Sequence, residues 1–321
     1  MTNQTILVAD IGGTNARFGI AEINEYNEIH VDHVEIFATA HFESLSAAAL
    51  KYLDNHHLPK PNIASISVAG PIVNDQVKLT NCPWNFSKQS LKQDLQIDEL
   101  ALLNDFAAIA AAVPYLNEKN LMPIGANKTQ YFDNGPKVIV GPGTGLGVAG
   151  LIQGHNDQWQ IISSEGGHNC FAPGNELEID LLKILRSLFT RVSAERLLCG
   201  QGLVDIYFAL GKLKGDDRRA LTPPEITSRA LESNDPECLQ VLEVFCRILG
   251  RFTGDMALTF KATGGVYLGG GILPKIRDFL AKSEFRVTFE AKGRQTFIRD
   301  IPTRLIIEPQ PALIGAAAFI M

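Results

Sequence analysis

The chain has 321 residues, 45% of them apolar and 20% charged, with a net charge of -6; that is an ordinary globular composition, too long for one core, and two domains are expected. An acidic balance with no basic run argues against nucleic acid and an anionic membrane as partners and favours a small-molecule ligand. The opening MTNQTILVAD has no basic leader, the apolar runs 106–113 and 312–321 are too short to span a bilayer, and the five cysteines form no CxxC pair. A cytoplasmic protein with reduced thiols is the expectation.

Short apolar runs at 6–9, 16–20, 34–37, 63–68 and 100–103 predict strands, and helical spacing over 44–55 and 87–95 separates the later ones. The opening third reads as a mixed sheet that starts with a hairpin and continues as βαβ units, an α/β layout. From about residue 175 the pattern turns helical, over 175–189, 202–213, 223–232 and 236–261, with Cys238 and Cys246 expected in the core. A last strand at 304–307 precedes PALIGAAAFIM, a small-residue helix that has to pack on something already built.

One internal similarity cuts across this order. ILVADIGGTNARFGIA at 6–21 has a partner in KVIVGPGTGLGVAGLI at 137–152: a run of β-formers, a Gly/Thr turn, then a second alternating strand. Either turn alone is consistent with a plain hairpin. As a pair, Gly12-Gly13-Thr14 and Gly143-Thr144-Gly145 suggest a grip on a polyphosphate, because glycine lets bare N–H groups approach an anion and Thr adds a donor. GxxxxGK[ST] is absent, and GPGTGLG runs into a strand, so the P-loop and Rossmann contexts are both missing.

DIGGTNARFG at 10–19, LLNDF at 102–106, GPGTGLG at 141–147, SEGGH at 164–168, SAERLLCGQGL at 193–203 and GGVYLGGGI at 264–272, together and in this order, resemble bacterial glucokinase. The resemblance runs nearly the whole chain. It implies the two-domain actin-like ATPase (ribonuclease H-like) α/β fold, with a cleft between a small domain, residues 1–115 plus 308–321, and a large helix-rich domain, residues 116–307. It also implies transfer of the γ-phosphoryl group of ATP, with Mg2+, to the 6-hydroxyl of glucose, and a homodimer. The related ROK kinases and repressors carry a His and three close Cys for zinc; here His168-Asn-Cys170 is followed by no cysteine before Cys199, which points to the zinc-free branch.

Carried over residue by residue, the resemblance makes Asp105 the catalytic base. It places Asn104, Glu165, His168 and Glu195 on the sugar, whose hydroxyls suit carboxylate, imidazole and amide partners. Ala9, Asp10, Ile11, Gly12, Gly13, Thr14, Asn15, Gly143, Thr144 and Gly145 would line the nucleotide phosphates, with Asp10 facing the metal through water. Gly269, Gly270 and Gly271 would take the adenosine, and LTNCPWNF at 79–86 would lie near the sugar. Each of these residues also has a plainer reading. Asp10 suits a turn bonding its own backbone, Asn104-Asp105 a helix cap, and the glycines at 269–271 a strand-to-helix turn. Glu165 and His168 suit loop polars, and Glu195 the first turn of a helix capped by Ser193. A kinase for another hexose, a sugar-responsive binding protein and an actin-like ATPase remain alternatives on the residues alone.

Overall fold

A computed structural model of the chain describes residues 4–70, 72–73, 75–79, 82, 84–125, 134–155, 158–216, 219–293 and 296–321. Its contacts divide it into two compact units, Met1–Asn117 with Glu308–Met321, and Glu118–Ile307.

The first unit begins with β1 (Gln4–Ile11), β2 (Asn15–Ile23) and β3 (Ile29–Ala38), an antiparallel meander. After α1 (Leu45–Asn55), the strand β4 (Ile63–Val68) pairs parallel to β1. A small antiparallel sheet follows, built from β5 (Ile72–Val73), β6 (Gln76–Lys78) and β7 (Asn85–Ser87). Then α2 (Lys88–Leu95), capped by Ser87, returns the chain to β8 (Glu99–Asn104), parallel to β4. The five-stranded order is β3-β2-β1-β4-β8. The central β1 is a nearly continuous apolar run because a central strand covered on both faces has no polar side. Phe18, fully buried, stacks on Tyr52 of α1 with ring centroids 5.5 Å apart. In the 79–86 loop, residues 80, 81 and 83 lie outside the described residues, and so does the sugar-side role expected of that loop. Trp84 is buried and its Nε1–H donates to the Phe42 carbonyl at 2.9 Å.

The helix α3 (Asp105–Ala112) leads out of β8 and, in the second unit, β9 (Leu121–Pro123) precedes the hairpin of β10 (Lys137–Pro142) and β11 (Leu146–Gln153), extended by β12 (Trp159–Ser164). The helical stretch comprises α4 (Glu176–Leu188), α5 (Gly200–Lys214), α6 (Pro223–Glu232) and α7 (Pro236–Thr259). Cys238 and Cys246 of α7 are fully buried. β13 (Val266–Leu268) pairs parallel to β10; α8 (Arg277–Lys282), α9 (Phe285–Glu290) and β14 (Thr303–Ile306) complete the unit, with sheet order β12-β11-β10-β13-β14-β9. Its first five strands repeat the first unit's pattern: two antiparallel hairpin partners, then two parallel neighbours. The chain ends in α10 (Pro311–Ala318), back in the first unit, where it packs on α3 so closely that a Cβ on Gly315 would meet the Ala108 carbonyl. The small residues of PALIGAAA are what let two helix backbones approach.

Candidate active site

In the first unit, β1, β4 and β8 run parallel and end level with one another, Ile11 beside Val68 and Val68 beside Asn104. Ligands of open α/β sheets bind beyond such carboxyl ends. Asp10, next to last in β1, does not bond its own turn. Its Oδ1 accepts from Ser67 Oγ at 2.9 Å and its Oδ2 from Arg17 Nη1 at 3.2 Å, both partners lying opposite it on neighbouring strands. Burial raises its pKa from the ordinary carboxylate value, against the pull of these two donors. Ala9 and Ile11 flank it with side chains fully buried, so what they offer a ligand is backbone. The hairpin turn is closed by the Gly12 N–H donating to the Asn15 carbonyl at 2.9 Å. Thr39 pins it from β3's end, its Oγ1 donating to the Gly13 carbonyl and its N–H to the Thr14 carbonyl. Thr14 and Asn15 are exposed at the tip.

Asn104 and Asp105 mark the strand-to-helix junction, and here capping and chemistry share the pair. Asn104 is the N-cap of α3: its Oδ1 accepts from the Phe106 N–H at 2.9 Å, and its side chain also hydrogen-bonds the Asp105 carboxylate. Asp105 Oδ1 accepts from the same N–H at 2.9 Å. Burial pushes the Asp105 pKa up to about 6; the Phe106 N–H works against that rise and the Asp10 charge, two strand spacings away, adds to it. A carboxylate poised there is ionised at neutral pH yet basic enough to take a proton.

In the second unit, the turn between β10 and β11 is the counterpart of the first. The Gly143 N–H donates to the Gly145 carbonyl at 2.8 Å, the Gly143 carbonyl accepts from the Gly200 N–H at 2.9 Å, and Thr144 is exposed. Beside it the chain leaves β13 through Gly269, whose N–H donates to the Val140 carbonyl. Gly270 has φ +81, a left-handed backbone that favours glycine, and a Cβ there would meet the Pro142 carbonyl. An added Cβ at Gly271 would meet only open space. The two glycine turns therefore stand side by side because their strands are parallel neighbours.

Glu165 and His168 lie on a 3-10 turn after β12, Glu165 almost wholly exposed. The His168 imidazole sits between two carboxylates, its Nε2 3.7 Å from Glu165 Oε2 and its Nδ1 3.6 Å from Glu195 Oε1. Three polar side chains 27 to 30 residues apart in part thus converge without a regular element to hold them. Backbone bonds do so instead: the Glu195 N–H donates to the Gly167 carbonyl and the Ala194 N–H to the Asn169 carbonyl. The helix expected to start at Ser193 does not. Residues 193–198 form a turn, Ser193 makes an isolated antiparallel bridge with Cys170, and α5 begins at Gly200 with Cys199 as its cap, its Sγ accepting from the Gly202 N–H. Glu195 is therefore not a first-turn acid; its Oε2 accepts from the Leu146 N–H at 3.0 Å.

Ser67, Arg17, Thr39 and the Leu146 N–H are the partners that sequence reading missed. A serine inside the apolar run ISV was the one visible signal, since a buried hydroxyl in a strand needs a partner. The acidic groups also fit a magnesium ion of one kind. Among the described residues no group of three or more His, Cys, Asp or Glu side chains could hold a metal by itself. A single carboxylate near the carboxyl end of a central strand, as Asp10 is, suits Mg2+ that arrives on a triphosphate, because that ion keeps water and takes only one or two protein oxygens.

Solved structures share this architecture. A glucokinase from an Antarctic psychrotroph superposes with a TM-score of 0.90 at 37% identity, covering 98% of each chain. A ROK family glucokinase from Streptomyces griseus, in complex with glucose and AMPPNP, has the same fold at a TM-score of 0.66 and 17% identity, covering 98% of each chain. The fold is that of the sugar kinases. In sequence, the family model described as glucokinase matches residues 7–321, and a glucokinase of Nitrobacter hamburgensis is 43% identical over 97% of this chain and 95% of its own length. The chain belongs to the glucokinase family.

Proposed function

We propose that the chain transfers the γ-phosphoryl group of ATP to the 6-hydroxyl of D-glucose, with Asp105 accepting the hydroxyl proton. Family membership supports the reaction, and the observation that carries the role is Asp105 itself: a carboxylate just beyond the carboxyl ends of three parallel strands, with its pKa raised to about 6. An attacking alcohol needs a proton acceptor, and in phosphoryl transfer the rest of catalysis is positioning and electrostatics. Asn104, Glu165, His168 and Glu195 supply the donors and acceptors that a ring of hydroxyls requires. The paired turns, Gly12 to Asn15 and Gly143 to Gly145, present backbone to the phosphates, and Gly269 to Gly271 leave room for adenosine. Mg2+ bound with the triphosphate would be held by Asp10 and would neutralise phosphate charge. The actin-like ATPase fold with a cleft between two domains, the homodimer and the cytoplasmic location implied by the resemblance belong to the same proposal.

A coupled assay of ADP release tests it. Release should depend strictly on added glucose, and kcat/KM for glucose should exceed that for fructose, mannose and N-acetylated hexoses. Asp105→Ala should lower turnover by about 10²–10⁴-fold or more while glucose still binds; near-normal turnover would remove Asp105 from its role.

A further inference from the structure

Glu195 has two oxygens with different duties. Oε1 lies beside His168 Nδ1 at 3.6 Å, on the side assigned to the sugar, whereas Oε2 accepts from the Leu146 N–H at 3.0 Å, at the foot of the turn assigned to the phosphates. The neighbouring residue shows how closely the carboxylate is seated. A Cβ built on Gly145 would stand 2.6 Å from Glu195 Oε2 and 3.4 Å from its Cδ, nearer than carbon and oxygen approach. A side chain at 145 would thus push the Glu195 carboxylate off the Leu146 N–H, with or without an anion in the turn. Gly143, two residues earlier in the same turn, is under no such demand, since an added Cβ there would meet nothing closer than the Gly271 nitrogen at 3.9 Å.

We propose that Gly145 and the Leu146 N–H are positioning elements of the sugar site, holding the Glu195 carboxylate so that the phosphate turn of the second unit and its residues Glu165, His168 and Glu195 move as one piece. The proposal rests on the assignment of Glu195 to glucose. Fixed hydrogen bonds make the piece continuous: Gly200 N–H to Gly143, Glu195 N–H to Gly167, and His168 N–H to the Glu165 carbonyl. A sugar that pulls on Oε1 acts on the Leu146 N–H, and a nucleotide that shifts the turn acts on Oε2. By linkage the two effects are equal in size.

Glucose binding measured by calorimetry with no nucleotide present separates this from a phosphate-only role. Gly145→Ala should weaken glucose binding by about tenfold or more, within the usual range of coupling between sites. Gly145→Ala combined with Glu195→Ala should bind glucose no more weakly than Glu195→Ala alone. Wild-type glucose affinity in folded Gly145→Ala overturns the proposal. Should that variant fail to fold, Glu195→Asp decides: its shorter side chain loses the Leu146 N–H, so affinity for AMPPNP measured without sugar should fall several-fold, and an unchanged affinity overturns the coupling. Wild-type glucose binding by Glu195→Ala would instead remove Glu195 from the sugar site, and the coupling with it; a loss there beside a normal Gly145→Ala sinks the coupling alone.

Discussion

The Asp105 carboxylate has to be unprotonated to accept the hydroxyl proton, yet burial favours its protonated form. Its pKa of about 6 sets the acid limb of activity: kcat/KM should fall as pH drops through that value, and a limb near the ordinary carboxylate range would show that another group governs it. The same shift has a consequence for stability. A carboxyl group whose pKa is higher in the folded state stabilises the fold below its ordinary value of 3.8, and that contribution is lost as pH rises through about 6. Asp105→Asn keeps an oxygen for the Phe106 N–H but removes the buried charge. It should therefore unfold at higher denaturant than wild type at about pH 8, by about 1–2 kcal/mol, and the difference should vanish below about pH 4. Gain of stability with loss of turnover is the pattern expected where function holds a group in an unfavourable place. Asp10 is raised by burial in the same sense, with the side chains of Ser67 and Arg17 as its donors, whereas Asp105 is held by the Phe106 N–H and the Asn104 side chain.

Elements were legible in the sequence where a local signal sufficed. The strand at 63–68 and the helix at 223–232 match β4 and α6 end to end, because β-branched runs and a Thr-Pro-Pro-Glu capping box act over a few residues. The helix expected at Glu195 failed for the complementary reason: SAER has the composition of a capped first turn, but bonds to Gly167 and Asn169, more than twenty residues back, hold it open. α10 shows tertiary packing prevailing over propensity. Gly to Ala inside a helix normally stabilises by about 0.5–1 kcal/mol. Gly315→Ala should do the opposite, since the methyl group would strike the Ala108 carbonyl and come within 3.0 Å of the Ala112 nitrogen. Overpacking of this kind costs about 1–3 kcal/mol, so chemical denaturation should show a net loss; a net gain would mean that α3 and α10 can part.

At the scale of the whole molecule, one strand pattern is used twice. Each unit places a glycine turn at the tip of its first hairpin and its remaining site residues at the ends of the strands and turns that follow. The proposed glucose ligands are divided between the units, Asn104 and Asp105 in the first and Glu165, His168 and Glu195 in the second. Glucose at about 100 times its Kd should add about 2.7 kcal/mol to stability. Hydrogen exchange should then slow both around residues 104–106 and around residues 165–168 and 195. Protection confined to one unit would show that the other does not bind the sugar.

By itself the sequence determined the alternation of strands and helices, the repeated Gly/Thr turn and the ordered motifs that mark the family, all of which depend on residues within about one element of each other. Tertiary structure alone decided which groups those motifs meet: Ser67 on Asp10 across 57 positions, the Leu146 N–H on Glu195 across 49, and the burial that moves Asp105. The reason is geometric. Strand register and backbone packing bring these atoms within 3 Å only after the sheets have formed, and no local pattern encodes a partner that distant in the chain.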